Sequence, residues 1–203
     1  MDNYLKYYKL KQNDKILDLG ASDGVFENGY LDQILATNSQ VIVLEACKES
    51  INRIIKTRKE PNFKFLNCLI GDKEEISEFI ETTQPYLNYK KSAKQVISMW
   101  GGHKEIRSVM MKTVTLDSLI ITESYFNFVK CDIEGAEIEV FMNCNNLDKI
   151  YNGCIAGYHI VDGQQTYKTL EPFLKSRGFY TVLDPNTVNS YDEVLLYFSK
   201  DKF

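Results

Sequence analysis

The stretch DLGASDGVFE, Asp18–Glu27, closes the apolar run KILDLG and places glycines at 20 and 24. A β-rich run that ends in a small-residue loop and passes into a helix is the opening unit of a layered α/β fold. Lys15–Ala21 reads as the strand and Gly29–Thr37 as the helix. Gly20 lets backbone approach a ligand closely, and Gly24 permits a tight entry into the helix.

The same rhythm continues downstream. Gln40–Ala46, QVIVLEA, is apolar almost throughout, as expected of a parallel strand covered on both faces. Lys48–Lys59 carries Ile51, Ile54 and Ile55 at helical spacing, and Phe63–Ile70 reads as a third strand. After Gly71 the alternation breaks. Between Asp72 and Lys112, pieces such as EISEFIE and RSVMMKTV predict antiparallel hairpins, with Trp100, Gly101, Gly102 and His103 between them. This segment reads as an insertion over one end of the sheet, a lid or substrate-facing loop.

The rhythm then resumes. Thr115 can cap a helix over TLDSLIITE, Asn127–Ile133 is a strand, and Glu134–Asn143 is a helix with acidic residues in its first turn. Cys154–Ile160 is a strand, and Gln164–Arg177 is a helix ended by Gly178. Phe179–Asp184 and Glu193–Ser199 form a closing antiparallel pair. With no repeat, low-complexity tract or linker, residues 1–203 read as a single domain.

Composition bounds the partners. Net charge is −4 and pI about 5.3, so no basic footprint points to nucleic acid or an anionic membrane. The five cysteines never fall two residues apart, which excludes the usual zinc-knuckle and thioredoxin spacings. Buried free thiols and the lack of a cationic-then-apolar leader predict a cytoplasmic protein. No apolar run approaches the roughly 20 residues that span a bilayer. The amino-terminal MDNYLKYYKLKQ reads as a short covering helix.

In open α/β sheets, ligands gather outside the carboxyl ends of the strands. The first strand presents Asp18, Gly20, Ala21, Ser22, Asp23 and Gly24 there, and the second presents Glu45 and Ala46. An acidic residue about 20 positions beyond the glycine loop is the usual reader of ribose hydroxyls. The loop lacks the G-x-G-x-x-G spacing of dinucleotide sites. A pyrophosphate prefers bare amides at a helix start; Asp18 and Asp23 repel it and suit an ammonium or sulfonium. S-adenosyl-L-methionine is therefore favoured over NAD. The alternative is a plain strand–turn–helix with Glu45 on the surface.

The fourth strand ends in KCDIEGAE, Lys130–Glu137. Asp132 and Glu134 share one side if the strand continues that far, and two carboxylates at a buried strand end are costly unless used or paired. The bland reading is that Glu134 or Glu137 serves the start of the next helix.

DLGASDGVFE, the VLEA strand end, TLDSL and above all FNFVKCDIEGAEIEVF resemble the FkbM family of S-adenosylmethionine-dependent methyltransferases, in order from about Lys15 to His159. The resemblance implies a Rossmann-like class I methyltransferase fold. That is a seven-stranded, mostly parallel sheet with an antiparallel last strand and helices on both faces. It implies cofactor contacts by Asp18, Gly20, Ser22, Gly24 and Glu45. LNCLIGD is similar to the family's adenine-side stretch, which implies Leu69 and Asp72 near the base. The family commonly carries an acidic residue and a His at the end of the fifth strand. His159 is kept here, while Gly157 or Tyr158 stands where the acid is expected.

Methyl transfer from a sulfonium is an in-line displacement, and a hydroxyl acceptor benefits from a positioned base. His159 is one candidate, because an unperturbed imidazole titrates near neutrality, and Asp132 is the other. Asp132 is also a candidate cofactor contact, and Glu134 joins the catalytic set. Trp100 and His103 are the candidate substrate contacts. Metal assistance through Asp132, Glu134 and His159 is chemically open, but the spacing is not diagnostic, and no metal is assigned. The expected activity is O-methylation of a sugar or glycan precursor. N-methylation of a small amine, or a non-catalytic cofactor-binding regulatory role, is the alternative.

Overall fold

The computed structural model describes residues 3–83, 88–90, 104–186 and 193–203. Its main sheet is built from strands β1 (Lys15–Leu19), β2 (Gln40–Leu44), β3 (Phe63–Leu66), β8 (Phe126–Cys131), β9 (Ile150–Ala156), β12 (Tyr180–Asn186) and β13 (Glu193–Ser199). Their order is β12-β13-β9-β8-β1-β2-β3. β1 pairs in parallel with both β2 and β8, and β3 and β9 extend the parallel run on either side. β13 lies antiparallel to both β9 and β12. The expected seven-stranded sheet with its antiparallel last strand is thus observed.

Period-two alternation sends successive side chains of each strand into different layers. Ile16, Val41 and Val43 pack with Phe26 and Ile34 of helix α1 (Val25–Ala36) and Ile54 of α2 (Lys48–Thr57). Leu17, Leu19, Ile42 and Leu44 pack on the other face with α3 (Leu116–Glu123), α4 (Glu137–Met142) and α5 (Tyr167–Ser176). Thr115 caps α3 in a reciprocal box with Ser118, an arrangement typically worth about 1 kcal/mol. The first helix begins at Val25, four residues earlier than its pattern implies, because Gly24 at φ 76° turns the chain straight into it.

A second, four-stranded sheet runs in the order β4-β7-β5-β6, from β4 (Leu69–Gly71), β5 (Glu75–Thr82), β6 (Tyr89–Lys90) and β7 (Glu105–Thr115). The apolar run Phe63–Ile70 is therefore not one strand. It breaks after Leu66, where the Asn67 amide donates to the carbonyls of Glu45 and Ala46 at 2.9 Å, and β4 leaves to pair with β7. Three further corrections lie near the sheet ends. β8 stops at Cys131 rather than Ile133, and α4 begins at Glu137 rather than Glu134, because Glu134 and Gly135 adopt φ 52° and 94°. β9 covers Ile150–Ala156 rather than Cys154–Ile160, and a small hairpin of β10 (Ile160–Val161) and β11 (Gln164–Gln165) precedes α5.

The amino-terminal segment is a turn rather than a helix. Its Tyr4 and Leu5 are buried, and the Asn3 carbonyl accepts from the Tyr197 hydroxyl at 2.6 Å. No helix among the described residues is long and apolar enough to cross a membrane. Cys47, Cys68, Cys131, Cys144 and Cys154 are all free and buried.

Candidate active site

The carboxyl ends of β1, β2, β8 and β9 converge. The β1 loop is tied to its neighbours by backbone: Gly20 and Ala21 donate to the Leu44 carbonyl, and Asp132 donates to the Leu19 carbonyl at 3.0 Å. A Cβ at Gly20 would stand 1.8 Å from the Asp132 carbonyl oxygen, so the crossing of two strand ends requires this glycine. Glu45 is buried beside the loop. Its Oε2 accepts from the Ser22 amide at 2.7 Å and its Oε1 from the Cys47 amide at 2.6 Å. Burial pushes its carboxyl up to about 7, against the pull of those two amides.

Asp18 and Lys130 are register partners across β1 and β8, both inside the core. Lys130 Nζ stands 3.0 Å from Asp18 Oδ1 and donates to the Gly20 carbonyl at 2.5 Å. Burial opposes the ammonium charge, but the Asp18 and Asp132 carboxylates outweigh it and raise the Lys130 pKa. Glu27, fully buried on α1, is pushed well up by burial and by the Asp18 charge, which favours its neutral acid form. Tyr4 lies over the Lys130 ammonium at 5.4 Å and donates its hydroxyl to Asp132 Oδ2 at 3.1 Å. Glu27, Lys130 and Tyr4 were not singled out by sequence. A lone lysine inside the apolar strand FNFVKC was the available signal, because a buried lysine needs a carboxylate partner.

On the other side of Asp132, His159 is buried at the end of β9 with 6% exposure. Its Nδ1 lies 2.8 Å from Glu137 Oε1, an oxygen that also accepts from the Ile133 amide at 3.0 Å. Its Nε2 faces Asp132 Oδ1 and Glu134 Oε2, each at 3.6 Å, and has no hydrogen-bond partner among the described residues. Burial lowers the imidazole pKa, but Glu137, Glu134 and Asp132 overcome it and raise it to about 10. Burial raises the Glu134 carboxyl to about 8; His159 opposes this, and Asp132 and Glu137 add to it. Three carboxylates thus surround one imidazole. Gly157 and Tyr158 bring no carboxyl group here, and the one nearest to His159 comes from α4, at Glu137. Gly157 itself has no room for a side chain, since a Cβ would meet Tyr167 Cβ at 2.8 Å.

The structure brings together Asp18, Gly20, Ser22, Glu45 and Asp132, and sets Glu134 and His159 beside them. Leu69 packs with Cys47 and Phe79, and Ala46 and Met111 lie against them, giving an apolar patch next to Glu45. Gly24 caps α1, and Ala21 is buried in the core. Asp23 turns outward to Arg53, with Nη2 at 2.5 Å, and Asp72 faces Lys90 at 3.7 Å. Trp100 and His103 lie outside the described residues.

Residues 18–181 match the Methyltransferase FkbM domain. The chain belongs to the FkbM methyltransferase family. S-adenosylmethionine is that family's cofactor. A crystal structure of a methyltransferase FkbM from Methylobacillus flagellatus superposes with a TM-score of 0.63 at 16% identity, covering 95% of this chain and 45% of that one. This FkbM chain therefore spans under half the length of that relative. Aeropyrum pernix fibrillarin, solved with natively bound S-adenosyl-L-methionine, gives 0.53 at 11% identity over 96% of this chain and 70% of its own. An rRNA methylase from Streptococcus thermophilus gives 0.50 at 9% identity over 96% and 91%. At such identities these likenesses show the fold. No curated protein matches the chain.

The FkbM site fits its cofactor chemically. Glu45 is pinned by two amides, yet each carboxylate oxygen keeps a lone pair for a ribose hydroxyl. The Leu69–Ala46 patch offers an apolar face for a purine. A pyrophosphate would instead meet the carboxylates of Asp18, Glu45 and Asp132.

Proposed function

We propose that this FkbM domain transfers a methyl group from S-adenosylmethionine to an oxygen of a small hydroxylated acceptor, a sugar or glycan precursor. The carrying observation is the set of carboxylates around the two ring nitrogens of His159 at the ends of β8 and β9, beside the cofactor loop. A sugar hydroxyl is a poor nucleophile at neutral pH and needs a base within reach. Asp132, partly exposed, can accept that proton, whereas Glu134, its carboxyl raised to about 8, is mostly protonated at neutral pH. His159, with its pKa raised to about 10, is charged at neutral pH and orients rather than accepts. The same carboxylates work against an amine acceptor, because nearby negative charge favours the ammonium, which has no lone pair to attack with.

S-adenosylmethionine supplies an electrophilic methyl group and leaves as S-adenosylhomocysteine. As the acceptor O–H bond breaks, a carboxylate of the cluster takes the proton and the freed oxygen takes the methyl. Holding the partners in line is worth up to about 7–11 kcal/mol, and the strand ends do that work. Segment 72–112, an insertion within a single domain over 1–203, selects the acceptor. In support, Lys90 of β6 pairs at 3.0 Å with Glu139 of α4, the helix that carries Glu137. The net charge of −4 favours a small acceptor over RNA.

Calorimetry with S-adenosylmethionine and with NAD tests the cofactor; binding of the former alone is expected. A methyl-transfer assay over sugars, lipids and amines tests the acceptor. Asp132→Asn and His159→Ala are expected to abolish turnover while cofactor affinity stays largely intact. Two fully active variants, or a preference for amines, would overturn the reading.

A further inference from the structure

We propose that the Asp132–Glu134–His159 cluster is a binding site for one divalent cation. His159 is buried, and its Nε2 is aimed between two carboxylates without a hydrogen-bond partner among the described residues. The spacing is wider than a hydrogen bond and leaves room for an ion. At 3.6 Å, Nε2 is too far from Asp132 Oδ1 and Glu134 Oε2 for either to be a normal acceptor. Two ligands each about 2.1 Å from a shared ion stand roughly 3.0–3.5 Å apart, so both gaps are within a few tenths of an ångström of coordination spacing. Asp132, Glu137 and His159 offer ligand atoms within 4.8 Å of one another, and Glu134 Oε2 brings a further carboxylate oxygen to 3.6 Å from His159 Nε2.

Glu137 supplies the outer support such a site needs. Its Oε1 sits 2.8 Å from His159 Nδ1 and is fixed by the Ile133 amide, so the ring is oriented with Nε2 toward the carboxylates. The ligands have different access. His159 is buried, whereas the Asp132 and Glu134 side chains are 20% and 23% exposed, which leaves coordination positions on the side open to an acceptor. Two carboxylates and one imidazole suit a cation such as Mn2+, which on binding displaces the protons that His159 and Glu134 carry in its absence. Its role rests on the methyl-transfer reading: the ion holds the acceptor oxygen and makes its proton easier to remove, and the proton still passes to a carboxylate of the cluster.

The test is titration of the metal-free protein with Mn2+, followed by calorimetry and by electron paramagnetic resonance. One ion per chain is expected. Glu134→Gln and Asp132→Asn are expected to weaken it at least tenfold, with unchanged melting in EDTA showing that both variants fold. Glu134→Gln is the safer variant, since among the described residues this side chain makes no hydrogen bond that Gln would lose. Asp201→Asn, an exposed carboxylate elsewhere, should leave binding unchanged. Absence of saturable binding, or equal affinity in Glu134→Gln, overturns the site. Methyl transfer that persists undiminished in EDTA also overturns it while leaving the methyltransferase reading intact. Mn2+ that binds stoichiometrically without any transfer supports the site and counts against that reading alone.

Discussion

Two carboxylate clusters lie on either side of Asp132, with similar charge and opposite design. In the first, Asp18 and Glu27 face Lys130 in the sealed interior. In the second, Asp132, Glu134 and Glu137 face His159 at the open strand ends. The sealed cluster settles its charge internally. Lysine and aspartate pair across adjacent strands, the second acid is pushed toward neutrality, and the ammonium also holds the Gly20 carbonyl. In the open cluster one imidazole meets three carboxyl groups, two of them partly exposed, and its Nε2 has no hydrogen-bond partner among the described residues. Solvent access separates a sealed internal pair from a cluster that a ligand can reach more clearly than the count of charges does.

The largest test of that contrast is Lys130→Met. Removing one partner of a buried pair leaves Asp18 uncompensated and typically costs about 3–5 kcal/mol, or a Tm fall of roughly 10 °C for a chain of this size. Adding Asp18→Asn should restore much of the loss in a thermal melt. If the single variant melts like wild type, the sealed cluster is not a staple.

Gly20→Ala comes next. The residue sits at φ 80°, and its Cβ would fall on the Asp132 carbonyl. Left-handed backbone and overpacking together should cost about 2–4 kcal/mol by denaturant titration. Gly163, at φ 78° with open space around it, provides the comparison, and Ala there should cost only about 1–2 kcal/mol. Equal losses at the two positions would show that the crossing of the strand ends does not depend on Gly20.

In the open cluster, Glu137→Gln keeps the volume but loses the charge that orients His159. Methyl transfer should fall by about ten- to a hundredfold, the usual cost of losing a supporting carboxylate, while cofactor affinity holds. A fall in cofactor affinity without a fall in rate would move Glu137 out of the catalytic side.

The layered sheet was legible because Leu17, Ile42 and Val129 lie in strands covered on both faces, and such strands read as apolar runs. The family motif located the open cluster by Asp132 and His159. Periodicity failed where side chains or backbone angles overrode it. Asn67 ties off β2 and ends β3, and Glu134–Gly135 turn the chain through positive φ before α4. The pairing of Glu137 with His159 spans 22 residues and that of Tyr4 with Asp132 spans 128. No local pattern encodes such contacts, so the acid that completes the His159 site was read as an ordinary helix start.

Glu45 stands between the two designs, buried like Asp18 yet placed to meet a ligand, and its pH dependence should show both characters at once. Its folded pKa of about 7 lies above the ordinary carboxyl value, so folding favours its protonated form. The stability it contributes is fully present below about pH 4.5 and is lost as pH rises through about 7. Ribose hydroxyls donate to the ionised carboxylate, so cofactor affinity should move the other way. The ionised fraction rises from about one eleventh at pH 6 to ten elevenths at pH 8, which bounds the gain at about tenfold. In Glu45→Gln both trends should flatten, as read by melting without cofactor and by calorimetry with it. A variant that binds S-adenosylmethionine with the same pH profile as wild type would show that this carboxylate only ties Ser22 to Cys47, and Glu45 would then belong with the sealed cluster rather than the ligand site.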